Sequence, residues 1–154
     1  MGDEVAVYVT SNGEQKSSES EEEERVAYQE IKEELGIPVP IFKYNPCTKG
    51  TFKYNITHKD SSATLGYQYD DIVLSLLMVN KNRAETSGMV VHGEKIKEVD
   101  VMGGVFTITV KKVKNTTDIK ADYVSQWEYK DGYYQLSGKV EEKEFLKIVE
   151  NIYY

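Results

Sequence analysis

Few side chains in this sequence have the types and spacing that catalysis or metal binding requires. The 154 residues include one cysteine, Cys47, and two histidines, His58 and His92. A thiol nucleophile needs a base held beside it, and a zinc site needs several cysteine or histidine ligands at short spacing. Cys47 lies in a turn-like segment without the local signature of a cysteine hydrolase, and the two histidines are far apart. We therefore predict no catalytic residue, no metal and no cofactor.

An adjacent pair of carboxylates, Asp70 and Asp71, could serve acid–base catalysis or bind calcium. A calcium loop needs oxygen ligands at several alternating positions, but the residues at 72–74 are Ile, Val and Leu. We therefore expect these aspartates to form a turn between two strands. A hydrolase that uses Asp70, Asp71 or His92 is the enzymatic alternative, and it requires these groups to converge in a cleft.

Aromatic residues supply a different kind of chemistry, since the sequence contains twelve tyrosines and one tryptophan. Four of them lie on one predicted hairpin: Trp127, Tyr129, Tyr133 and Tyr134. Aromatic surfaces bind sugars, peptides and apolar ligands, although tyrosine fills the core of sheets more often. These four are the predicted ligand-binding residues, and Tyr133 is the strongest because alternation places it on the opposite face from Tyr129 and Tyr134.

Periodic apolar residues define the elements that must position these side chains. From the end of the first helix to about residue 137 the period is two, which predicts antiparallel strands. Two stripes at helical spacing predict a helix near each end of the chain: Ala27, Ile31 and Leu35 in the first, Phe145, Val149 and Ile152 in the second. The predicted fold class is α+β, with a twisted antiparallel β-sheet and the N-terminal and C-terminal helices packed on one face. We expect a single domain over 1–154, with a flexible loop or linker at 14–20.

Two turns set the register of the predicted hairpins. A two-residue Gly-Gly loop pairs Val101 with Phe106 across the first hairpin. A two-residue Asp131-Gly132 loop pairs Tyr129 with Tyr134 across the second. A slip of one residue would move the apolar side chains to the wrong face, so both registers are well specified.

The net charge of −7 is concentrated in one segment. Residues 19–24 hold five carboxylates, whereas the rest of the chain carries 21 acidic and 19 basic side chains. The helix dipole stabilises carboxylates in a first turn, so we interpret this segment mostly as the beginning of the first helix. The remaining domain is nearly neutral and has no basic stripe, which predicts that nucleic acid is not a partner.

Several segments are typical of one known family. They are the helix exit at 35–40, the segments at 63–69 and 73–78, the Trp-containing hairpin at 127–138 and the short helix at 144–150. The tryptophan, the Asp-Gly hairpin, the Tyr-x-Leu strand and the final helix resemble the ending of a bacterial extracytoplasmic family known only as a domain of unknown function, DUF4367. The resemblance covers about residues 25–154.

This resemblance implies a location in the cell envelope. Such domains are commonly the outer portion of a protein with a single membrane anchor in Gram-positive bacteria, sometimes behind an anti-sigma-factor-like cytoplasmic segment. The resemblance implies no reaction and offers no catalytic residues. This sequence shows no signal peptide and no transmembrane segment, so we expect contact with the membrane only through an anchor that this chain lacks.

Together these features predict a non-enzymatic extracytoplasmic sensing or interaction domain of a membrane-anchored regulator. We expect a monomer whose partner is an unknown protein or a small apolar ligand. The alternative is a lipoprotein-like carrier or binder of an apolar ligand. That alternative requires a half-barrel cavity of several hundred Å³ between the sheet and the helices.

Overall fold

Alternating apolar side chains direct much of this chain into β-strands, because every second residue of a strand faces the same side of a sheet. The structure, a computed structural model, describes residues 4–10, 18–83, 93–113 and 121–154; residues 4–10 and 18–21 are described by their backbone. The elements in these ranges are β1 (Glu4–Thr10), α1 (Ser18–Leu35), β2 (Ile41–Phe42), β3 (Thr51–Thr57), β4 (Ser62–Tyr69), β5 (Ile72–Asn80), β6 (Gly93–Val101), β7 (Phe106–Val113), β8 (Tyr123–Tyr129), β9 (Gly132–Lys139), α2 (Glu142–Glu150) and β10 (Ile152–Tyr153).

Eight of these strands form one antiparallel sheet in the order β1-β3-β4-β5-β9-β8-β7-β6. Strands β3 to β5 form one meander, in which each strand pairs with the next along the chain, and β6 to β9 form a second. The two meanders meet where β5 pairs with β9, from Val73 opposite Lys139 to Asn80 opposite Gly132. Strands β2 and β10 form a separate two-stranded sheet.

One hydrophobic cluster joins the large sheet to both helices. Apolar side chains lie opposite one another on neighbouring strands, as Leu76 of β5 does with Leu65 of β4 and Leu136 of β9. The helices add six buried residues to the same cluster: Ala27, Ile31, Leu35, Phe145, Ile148 and Val149. The predicted α+β fold, with a large antiparallel sheet and two helices, is therefore confirmed.

Helix α1 extends further toward the amino end than the sequence predicted. It begins at Ser18, so the last three residues of the loop predicted at 14–20 are helical. Residues 14–17 lie outside the described part of the chain. The acidic run at 19–24 lies within α1, which confirms its interpretation as a helix beginning. Favourable interaction of these carboxylates with the helix dipole is the physical reason.

Polar side chains of the sheet hold α1 in position. The phenol of Tyr54 donates a hydrogen bond to Glu30 over 2.7 Å. The amide of Asn80, at the end of β5, donates to the carbonyl oxygen of Leu35, also over 2.7 Å. The helix ends at Leu35, and the φ of +67° at the following Gly36 is in the left-handed region that favours glycine.

The β6–β7 hairpin pairs Val101 with Phe106 as predicted, but residues 102–105 connect its strands in place of a two-residue Gly-Gly loop, with a short 3-10 turn at Met102–Gly104. The turn of the β8–β9 hairpin is displaced by one residue. Tyr129 pairs with Gly132 instead of Tyr134, so the two-residue turn is Lys130-Asp131. Lys130 supplies the left-handed conformation, with φ of +52°. Displacing a two-residue turn by one position changes every partner by two residues, and a period of two keeps the same side chains on each face. The predicted faces are therefore retained although the predicted pairing is wrong.

The last helix is shorter than its apolar stripe suggested. Ile152 was predicted on the helix but lies in β10, opposite Phe42 of β2. Asn151 ends α2, and its side-chain amide donates to the carbonyl oxygen of Lys147 over 2.7 Å. The chain changes direction at Asn151, so the residues that follow lie in β10 and pair with β2.

Candidate functional site

A cleft of about 350 Å³ opens at one edge of the sheet, beside the first turn of α2. Residues from three separate segments line it: Asp71, Ile72, Asp122, Lys139, Val140, Glu141 and Glu144. The topology explains their convergence, because β5, β9 and β8 are antiparallel neighbours. The start of β5, the end of β9 and the start of β8 therefore meet at the same edge.

Carboxylates dominate the charge of this cleft, where four acidic side chains accompany one lysine. Ile72 and Val140 supply an aliphatic part of the wall. Carboxylates attract cations, and aliphatic surface packs well against the methylene stem of a lysine or arginine. The cleft therefore has the chemistry to hold a basic side chain.

Three contacts fix the walls of the cleft. The phenol of Tyr44 donates a hydrogen bond to Glu144 over 2.5 Å, and this bond raises the pKa of Tyr44. The ammonium of Lys147 lies 4.2 Å from the centroid of the Tyr44 ring. On the opposite wall the backbone N–H of Asp122 donates to the carbonyl oxygen of Gly138 over 2.9 Å.

The predicted aromatic residues divide between the two faces of the sheet. Trp127 and Tyr134 are buried, and their rings stack with centroids 5.6 Å apart. The phenol of Tyr134 also donates a hydrogen bond to the carbonyl oxygen of Pro38, and burial raises the pKa of Tyr134. Tyr129 lies beside them and is half-buried. The structure thus brings together three of the four residues, with Trp127 and Tyr134 in the core and Tyr129 at its margin.

Tyr133 lies on the other face, as the sequence predicted. Its hydroxyl accepts a hydrogen bond from the amide of Gln126 over 2.8 Å and donates one to Gln135 over 3.2 Å. Burial raises the pKa of Tyr133. Its use as a ligand-binding residue stays a prediction.

Tyr154 is the contact that sequence reasoning missed. Its ring stacks on that of Tyr129, with centroids 4.2 Å apart and an angle of 22° between the planes. Its hydroxyl accepts a hydrogen bond from the indole nitrogen of Trp127 over 2.9 Å. Burial strongly raises the pKa of Tyr154. The run of aromatic residues near the end of the sequence was the available signal.

The other residues considered for catalysis have separate surroundings. Cys47 is buried, and burial raises the pKa of its thiol to about 11. Nδ1 of His58 lies 3.1 Å from a carboxylate oxygen of Glu34. Asp70 and Asp71 form the predicted turn, with a φ of +54° at Asp70. His92 lies outside the described residues.

No group of three or more His, Cys, Asp or Glu side chains in the described part of the chain could hold a metal ion. No described helix combines the length and the apolar character needed to cross a membrane.

Comparison with known proteins yields one family match. The family model described as a domain of unknown function (DUF4367) matches residues 39–152. The match extends from β2 and its preceding residues to the start of β10, so it begins later than the predicted range of 25–154 and excludes α1. No curated protein matches the chain, and no solved structure does.

Proposed function

The chain belongs to the DUF4367 family, and from this premise we propose that it is a non-enzymatic sensing or interaction domain of a bacterial envelope protein. Its place is outside the cytoplasm, as part of a protein that is anchored to the membrane. An anti-sigma-like regulator is the kind of protein in which such a domain serves. The domain acts as a monomer.

The carboxylate-lined cleft is the observation that carries the binding role. Its volume of about 350 Å³ is within the range of small-ligand sites, and its walls combine acidic and aliphatic side chains. A partner protein that presents a lysine or arginine meets both requirements of this cleft. The stem of that side chain would lie along Ile72 and Val140, and its charge would face Asp71, Asp122 and Glu144.

The burial and the raised pKa of the single thiol, that of Cys47, support a role in binding without catalysis. A nucleophilic cysteine is exposed and has a lowered pKa, but Cys47 is buried and its pKa is raised to about 11. It therefore stays protonated and acts as a small apolar residue.

Both helices, in this proposal, cover the same face of the sheet. The support is that Ile31 of α1 and Phe145 of α2 belong to one core cluster and are each fully buried. The alternative, an apolar-ligand carrier, needs this interior to be empty. Buried side chains occupy it in the described part of the chain, so a carrier would have to move a helix.

A titration with pentalysine tests the cleft. Asp71→Asn combined with Asp122→Asn removes two of its charges. We expect this variant to bind the peptide about 5- to 30-fold more weakly, since exposed charge pairs contribute up to about 1 kcal/mol each. Amide chemical shifts report both affinity and location. The matched control, Glu33→Gln with Asp60→Asn, changes the net charge equally at exposed positions. Asp60 lies in the β3–β4 turn, at the opposite end of the sheet from the cleft.

Equal weakening by the control variant would contradict the proposal, because the peptide would then respond to the net charge alone. The location outside the cytoplasm is tested separately. Protease added to intact cells should digest this domain in the native gene product. Protection of the domain until the cells are lysed would refute the envelope assignment.

A further inference from the structure

The ring of Tyr154 occupies a slot built from other aromatic residues, which we name the aromatic slot: Phe106, Trp127, Tyr129 and Tyr134. Besides stacking on Tyr129, the Tyr154 ring meets Phe106 edge-on at 5.6 Å and Tyr134 edge-on at 5.5 Å between centroids. Trp127 completes the slot with a directed N–H donor, 2.9 Å from the Tyr154 hydroxyl. Three rings and one donor thus surround one phenol.

The geometry of the aromatic slot indicates which chemical group fits it. Stacked and edge-on rings select a flat aromatic ring, and the indole N–H selects a ring that carries an acceptor oxygen. A phenylalanine ring would satisfy the first requirement only. The ligand class that fits is therefore a phenol, as in a tyrosine side chain.

The segment that brings Tyr154 to the slot is short. Strand β10 pairs with β2 through two residues only, Ile152 opposite Phe42 and Tyr153 opposite Ile41. Ile41 and Tyr153 are exposed, and both Tyr129 and Tyr154 are half-buried. The slot therefore meets solvent at Tyr129 and Tyr154. Release of the segment breaks two backbone pairs and exposes Ile152, which is buried.

We propose that the aromatic slot is a binding site for a tyrosine of an extended peptide, and that Tyr154 is its internal competitor. The incoming peptide pairs with β2 in place of β10, as in other cases of strand addition, and inserts its phenol beside Trp127. The site lies apart from the carboxylate-lined cleft and goes beyond the proposed function. An internal ligand lowers the apparent affinity by the fraction of molecules in which the slot is open.

The indole N–H of Trp127 gives a direct assay, because the chain has one tryptophan and therefore one indole resonance. N-acetyltyrosinamide is titrated into the whole protein, and the displacement of that resonance is followed by NMR. We expect a saturable shift in the wild type and at least tenfold tighter binding in Tyr154→Ala, which removes the competitor. N-acetylphenylalaninamide should bind about 2- to 10-fold more weakly than the tyrosine probe, since it lacks one hydrogen bond.

Tyr153→Ala is the matched control, because it removes a ring from the same segment but leaves the slot filled. It should bind the probe no more than threefold more tightly than the wild type. If Tyr154→Ala does not fold, Tyr154→Phe replaces it, since losing the bond to Trp127 should also tighten binding of the probe. The Asp71→Asn and Asp122→Asn variant should bind N-acetyltyrosinamide as the wild type does, which separates this site from the cleft.

Two results would overturn the inference. One is the absence of a saturable shift in the wild type and in whichever Tyr154 variant folds. The other is equal affinity in that variant, in the wild type and in Tyr153→Ala, which would place the probe elsewhere. Failure of pentalysine to bind would leave these results unaffected and would count against the cleft alone.

Discussion

Asn80 connects the end of α1 to the end of β5, and its replacement provides a sharp test of how the helix is held. The residue is 4% exposed. Its amide donates to the Leu35 carbonyl oxygen over 2.7 Å, and its side-chain oxygen accepts from the backbone N–H of Asn82 over 2.9 Å. Asn80→Ala removes both bonds and adds no bulk.

The expected loss of stability follows from these two bonds. A buried acceptor left without its donor costs about 1–3 kcal/mol, and the Leu35 carbonyl oxygen is in that position. The N–H of Asn82 is near the surface, where water can replace the lost acceptor, so it adds about 0.5–1 kcal/mol. We therefore expect Asn80→Ala to lower the free energy of unfolding by about 1.5–4 kcal/mol. For a domain of this size the Tm should fall by roughly 5–15 °C.

Urea unfolding measures this loss, with an unchanged m-value as evidence that the unfolded state is the same. Asn82→Ala, at an exposed position, is the control and should change stability by less than about 0.5 kcal/mol. A similarly small change in Asn80→Ala would refute the reasoning, because the hydrogen bond to α1 would then contribute little.

Asn80→Asp adds a pH-dependent test of the same contact. Its carboxylate would face the Leu35 carbonyl oxygen, whereas the protonated acid could donate to it, so folding raises the pKa of the introduced group. Its stabilising contribution is present below the unfolded-state pKa and is lost as pH rises through the folded-state pKa. The stability of Asn80→Asp relative to Asn80→Ala should therefore increase as pH falls from 7 to 4. A constant difference would contradict this orientation.

Two further perturbations have clear expected outcomes. A Cβ at Gly50 would lie 1.8 Å from the backbone oxygen of Gln68, whereas a Cβ at Gly103 has no neighbour within 4 Å. Gly50→Ala should therefore lower the free energy of unfolding by about 3 kcal/mol, because the added methyl group overpacks the site. Gly103→Ala should lower it by about 1 kcal/mol, because Gly103 has a φ of +69°. Urea unfolding that gives the reverse order would contradict this assignment. Because burial raises the pKa of Cys47 from 9.0 to about 11, its thiol should react with a disulfide reagent at pH 8 about 100-fold more slowly than in the unfolded chain. The contribution of the buried thiol to stability is present below pH 9 and is lost as pH rises through 11. Rapid labelling of the folded protein would contradict this prediction, because it would show that the thiol is accessible.

The fold was largely predictable because periodicity fixes which side chains share a face. The β8–β9 hairpin shows where this information ends, since alternation cannot distinguish registers that differ by two residues. The Asp-Gly pair suggested a turn at 131–132, but Lys130 supplies the left-handed residue. Gly132 is needed for a different reason: a Cβ there would lie 2.3 Å from the hydroxyl of Tyr134.

The binding surfaces were less predictable because they combine residues that are distant in sequence. Asp71, Asp122 and Glu144 share a cleft only because β5 pairs with β9, and no local motif encodes that pairing. The aromatic residues of β8 and β9 were predicted, but their contact with Tyr154 depends on the chain leaving α2 at Asn151. A stripe of apolar residues that runs past the helix gave no sign of this change of direction.

The pairing of β5 with β9 also has a consequence for how the molecule folds. Each meander contains hairpins that can form from residues close in sequence, whereas the ladder between them begins at residues 80 and 132. Closing such a loop in an unfolded chain is opposed by an entropy that grows with its length, and long-range contacts slow folding. If β6 to β9 form their hairpins first, much of that loop is already ordered when the ladder closes. We therefore expect the rate-limiting event to be the docking of two locally formed halves along β5 and β9.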